Sequence, residues 1–103
     1  MNNGHIYVVS GGVMKHGTVK IGYTESPEGL RGRYATYYGD SIQISCAPAP
    51  NGVDIEQDIH DYMHQLCEQG VYNAFGTEVY ECKISDAKNI IKNFTKCKKM
   101  TKC

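Results

Sequence analysis

Two β-branched and aromatic runs separated by glycines constrain this chain most: residues 5–10 (HIYVVS) and residues 18–24 (TVKIGYT), with Gly11, Gly12 and Gly17 between them. The pattern predicts an antiparallel hairpin with a connection of about seven residues. Side-chain alternation turns Ile6, Val8, Val19 and Ile21 toward a core and puts Tyr7 and Lys20 together on the opposite face. Residues 41–47 (SIQISCA) alternate as a third strand, which Pro48, Pro50 and Gly52 bring to an end.

Helical spacing fills the rest. Ser26, Pro27 and Glu28 read as a helix start, with Ser26 accepting from an orphan N–H, and Leu30, Tyr34 and Tyr37 continue the helix to about Tyr38. Residues 54–67 form the clearest amphipathic helix, with Ile55, Ile59, Tyr62, Met63 and Leu66 on one face, Glu56 at its edge and His60 one turn on. Residues 69–76 read as a loop, and residues 77–84 as a short strand or extended segment. Ser85 is placed to cap a last helix carrying Ala87, Ile90, Ile91 and Phe94. The expected architecture is α+β, a small three-stranded antiparallel sheet flanked by helices. Residues 1–95 make one domain and residues 96–103 a frayed basic tail.

The chain's 103 residues leave no room for a second domain. Eleven Lys and Arg balance eleven Asp and Glu. That neutrality is a sum of opposed blocks: seven acids and no Lys or Arg in residues 54–81, then seven lysines against one acid, Asp86, in residues 83–102. Five cysteines at irregular spacing, without C-x-x-C, read as free thiols in a reducing cell interior. Residues 1–5 are polar and lead into an apolar run too short for a signal peptide, and no stretch is long enough to span a bilayer. An intracellular protein of cytoplasm or nucleus is expected, with no membrane and no small-molecule cofactor.

In order, the chain presents a strand with a central Tyr (His5-Ile6-Tyr7), a strand reading Lys20-Ile21-Gly22, a helix with Arg31 and Arg33 on its flanks, and a later helix with Glu56. The set resembles the GIY-YIG nuclease superfamily. It is most similar to a branch of phages and large DNA viruses running V-K-I-G-x-T, an Arg-rich helix, E-x-x-x-H and a short E-x-aromatic segment. Here these are residues 19–24, 30–34, 56–60 and 78–80. Where the superfamily usually has Tyr in its second motif this chain has Lys20, as that branch does, and the late Asn has no secure match, Asn73 lying in a loop.

The resemblance implies a metal-dependent endonuclease hydrolysing DNA with little sequence specificity. Tyr7 would be the base, although a free phenol near pKa 10 needs a cation beside it. Lys20 supplies that cation, Arg31 grips the scissile phosphate, and Glu56 is the single carboxylate on Mg²⁺ or Mn²⁺. His60 orients the site or contacts phosphate, and Tyr23, Arg33, Lys98 and Lys99 contact DNA. A homodimer or targeting partner would supply a second cut or a choice of site.

Each residue also has a plainer reading. Tyr7 packs a sheet face, Lys20 protects a strand edge, and the acids around Glu56 solvate a helix. His60 is structural, His64 is surface, and the lysines only solubilise a tail. Tyr34, Tyr37 and Tyr38 stack on bases or pack at the core edge. The matching alternatives are a DNA-binding module that does not cut, or a protein-interaction domain on the same scaffold.

Overall fold

The computed structural model describes residues 4–103; the first three residues of the polar lead lie outside it. The glycine-punctuated hairpin forms as the alternation requires. β1 (His5–Gly11) and β2 (Thr18–Thr24) pair antiparallel, with Tyr7 opposite Gly22 and Val8 opposite Ile21. β3 (Ile42–Pro48) pairs with the other edge of β1.

Among the described residues the sheet has six strands rather than three, in the order β4-β5-β2-β1-β3-β6. The additions are β4 (Asn73–Ala74), β5 (Val79–Glu81) and β6 (Thr101–Lys102). Strands of two or three residues carry too few side chains to show an alternation, so they form by extending a sheet already there.

Alternation sends the strand side chains to two cores. Ile6, Val8, Val19 and Ile21 meet Ile59 and Met63 of α2 (Gly52–Glu68) and Ala87 and Ile91 of α3 (Ile84–Thr95). Each of these isoleucines, fully buried, contributes roughly 1.5–3 kcal/mol. On the other face Tyr7, Val9 and Ile44 pack under Leu30 and Tyr34 of α1 (Leu30–Tyr38).

Tyr38, not Tyr37, completes the α1 seam, since a spacing of four keeps the turn while Tyr37 swings out to 69% exposure. Residues 27–29 form a 3-10 turn before α1, and the Ser26 side chain makes no capping bond. α3 likewise starts at Ile84, with Lys83 rather than Ser85 at its N-cap and no side-chain cap.

The basic end is not frayed. Thr101–Lys102 pairs with Ser45 and Cys46 of β3, and Cys103 forms a disulfide with Cys46, so the five cysteines are not all free thiols; Cys67, Cys82 and Cys97 are. Burial of Cys46 beside an open strand edge explains the pairing, because that edge accepts a sixth strand and brings Cys103 alongside. Among the described residues, no helix is long and apolar enough to cross a membrane.

Candidate active site

Gly22 opens the sheet surface for Tyr7. A Cβ there would overlap the Tyr7 ring and hydroxyl, so the missing side chain lets the ring lie across β2. The Tyr7 and Tyr34 hydroxyls share a hydrogen bond of 2.6 Å, and both residues are almost fully buried. Arg33 lies over the Tyr34 ring, 5.3 Å from its centroid.

Burial pushes the Tyr7 phenol well above its ordinary value, and the Tyr34 hydrogen bond adds to the rise. The nearby charge that opposes this is the Arg33 guanidinium. Lys20, the cation expected to assist Tyr7, instead donates to Glu78 Oε2 at 2.8 Å. The two residues do share a sheet face, as the alternation requires, but Glu78, just before β5, takes the ammonium.

A second group converges beside β5 from α2. Tyr80, fully buried in β5, donates its hydroxyl hydrogen to the Thr77 carbonyl at 2.9 Å. That hydroxyl can then only accept at its 2.6 Å contact with His60 Nδ1, so Nδ1 carries a hydrogen. His60 Nε2 points away from Tyr80 and is buried without a hydrogen-bond partner, 3.5 Å from Glu56 Oε2. Ligand atoms of Glu56, His60 and Glu78 all lie within 4.8 Å of one another. Together with Asp61, His64 and Thr77 they line an open cleft of about 330 Å³. A buried imidazole nitrogen without a partner, facing two carboxylates, suits a divalent cation. Glu56 therefore fits the role of ligand, though in company with His60 and Glu78.

The other expected site residues lie elsewhere. Arg31 donates to the carbonyl oxygens of Asp40 and Ile42, tying α1 to the start of β3. Tyr23 faces the opposite side of the sheet from Tyr7 and lies against Gly52 at the start of α2, its hydroxyl donating to Glu25. Lys98 and Lys99 lie on the segment entering β6, at the far edge of the sheet from β5 and about 20 Å away at ordinary strand spacing. Asn73 is in β4, donating to Glu81 across the strand pair. His64 sits edge-on to the Tyr80 ring. Glu78 and Tyr80 had no assigned chemical role from sequence, and Tyr34 was expected only to stack on bases or pack; the E-x-aromatic segment at residues 78–80 was the available signal for the first two.

The raised Tyr7 phenol has a stability consequence. The folded state keeps a proton that the unfolded chain loses above about pH 10, so the contribution is complete below that pH. It falls by about 1.4 kcal/mol per pH unit above it. Urea midpoints from pH 8 to 11 should drop more steeply for the wild type than for Tyr7→Phe. Parallel curves would show that Tyr7 ionises in the folded protein as it does in the unfolded chain.

Fold and site together define a small α+β domain with a candidate divalent-cation centre at one edge of its sheet. The chain belongs to the T5orf172 domain family, which matches residues 4–95. This is a phage-associated family in the neighbourhood of GIY-YIG and HNH nucleases. No curated protein and no solved structure matches the chain.

Proposed function

We propose that the protein is a metal-dependent endonuclease of GIY-YIG type that hydrolyses DNA phosphodiester bonds with little sequence preference. The observation that carries this reading is the carboxylate–imidazole cluster beside β5 with Lys20 paired to it; a buried tyrosine pair flanked by Arg33 lies on the sheet face that Lys20 shares. A bound divalent cation supplies positive charge opposite the phosphate oxygens and lowers the pKa of its water.

The chain's own groups do the rest. Lys20 pairs with Glu78 and offers its remaining donors to a phosphate. Arg33, exposed beside Tyr34, is better disposed to grip phosphate than Arg31, two of whose donors are spent on backbone carbonyls. Tyr7, a neutral phenol whose hydroxyl shares a hydrogen bond with Tyr34, orients the nucleophilic water. The distant lysines Lys98 and Lys99 add salt-dependent, sequence-independent affinity. A duplex break needs two scissions, by one site acting twice or by two copies.

Supercoiled plasmid is the test. Nicked product should accumulate with Mg²⁺ or Mn²⁺ and disappear in chelator. Absence of product with either ion, combined with gel shifts that weaken steeply with salt, would replace this reading by a DNA-binding module.

A further inference from the structure

We propose that Glu56, His60 and Glu78 together form one metal centre with a nitrogen and two oxygen ligands, selective for a first-row transition ion such as Mn²⁺ over Mg²⁺. The inference deepens the proposed nuclease reading and rests on it, but it stands on geometry that needs no DNA.

His60 carries the argument. It is 9% exposed, and its Nε2 is completely enclosed without a hydrogen-bond partner. Leaving a buried polar atom unpaired costs about 1–3 kcal/mol, so the arrangement implies a partner that completes it. The Tyr80 hydroxyl, committed to the Thr77 carbonyl, accepts the Nδ1 hydrogen and fixes the ring with Nε2 toward Glu56 and Glu78. An imidazole held through its other N–H by a polar group is how ligating histidines are oriented.

Distances agree with modest closure. Ligand atoms on one ion lie about 3.0–3.4 Å apart, given bonds of about 2.1 Å. The present separations reach 4.8 Å. Closing that gap falls to the side chain of Glu78, which is 43% exposed and paired with Lys20, while His60 is fixed. The imidazole sets the selectivity. Mg²⁺ is a hard ion that takes oxygen ligands, whereas Mn²⁺, Fe²⁺, Co²⁺ and Zn²⁺ accept a nitrogen alongside carboxylates.

Glu78 also sets a competition. Its Oε2 is held by Lys20 at 2.8 Å, so an entering cation must share that carboxylate with the ammonium or displace it. Lys20→Met should therefore tighten Mn²⁺ binding, by about threefold or more, in the absence of DNA.

The test is Mn²⁺ binding to the full chain without DNA, by calorimetry and by electron spin echo spectroscopy, with folding checked by circular dichroism. Saturable binding at a single site, with a ¹⁴N coupling from the imidazole, is expected. His60→Gln should remove the coupling and weaken binding at least tenfold, while leaving weak Mg²⁺ binding within about twofold. Glu78→Gln, at a half-exposed position, should weaken Mn²⁺ binding by a similar factor and serves if His60→Gln does not fold. No saturable Mn²⁺ binding, binding without a ¹⁴N coupling, or equal affinity in the variants overturns the proposal and leaves His60 a structural imidazole. Plasmid nicking separates the two readings. Mn²⁺ bound through nitrogen without nicking defeats the nuclease reading alone, and nicking in Mg²⁺ with no nitrogen-bound metal defeats this inference alone.

Discussion

Glu56→Ala should lose at least about 10³-fold in plasmid nicking while its melting temperature stays close to that of the wild type. Losing a catalytic cation removes several kcal/mol of charge stabilisation, and each 1.36 kcal/mol is tenfold in rate. The fold has little stake in this side chain. Glu56 lies at the edge of the α2 core face, 22% exposed, and its nearest ionic partner is His60 Nε2 at 3.5 Å. Without a cation it also stands near a second carboxylate, Glu78, with both groups' ligand atoms inside the same 4.8 Å cluster. Truncation relieves that repulsion as it gives up the imidazole contact, so stability in chelator should change by no more than about 1 kcal/mol. A carboxylate whose loss is harmless to the fold and severe for activity is held for function. Equal nicking by wild type and variant would remove Glu56 from the mechanism and point to a contaminating nuclease.

The parts of this picture that sequence revealed are those written in periodic side chains. Alternation in β1 and β2 assigned Ile6, Val8, Val19 and Ile21 to one core and put Tyr7 with Lys20 on the other face, where they are. The helical spacing of Ile55, Ile59 and Met63 placed Glu56 and His60 one turn apart at the edge of α2. Pairings set by tertiary closure left no such trace. Lys20 and Glu78 are 58 residues apart and meet only because β5 adds to β2, through three residues too few to announce a strand. Tyr34 read as an ordinary seam residue of α1, and its hydroxyl partner 27 residues away depends on the helix lying over the sheet. The lysine-rich end looked unstructured because its charge dominates, yet Thr101 and Lys102 satisfy the free edge of β3.

The charge pattern gains meaning from the same topology. Sequence order separates an acidic block from a basic one, and the fold carries that separation across the sheet. α2 brings Glu56 to the β5 side, while Lys98, Lys99 and Lys102 collect beside β6 at the opposite edge. Keeping the lysines distant matters for a cation site. Among the described residues Lys20 is the cation paired with Glu78, and one ammonium is displaced more readily than a cluster.

Tyr7→Phe and Tyr34→Phe should cost similar stability and very different activity. The two hydroxyls share one buried hydrogen bond of 2.6 Å, so removing either leaves the other unpaired at about 1–3 kcal/mol. The double variant should cost less than the sum of the singles, because the second substitution removes an unpaired group instead of creating one. Their positions toward substrate are not equivalent. Tyr7 lies over Gly22 on the sheet itself, whereas Tyr34 projects from α1 with Tyr38 stacked against it at 6.0 Å. With the folded fraction matched, Tyr7→Phe should lower nicking by about 10²-fold, the cost of a misplaced nucleophile. Tyr34→Phe should stay within about tenfold, since it leaves the Tyr7 hydroxyl in place and removes only its partner. Equal losses in both would mean that the pair holds α1 against the sheet and that neither hydroxyl meets the substrate. A Tyr7→Phe protein with full activity would leave the chemistry to the cation centre and Lys20.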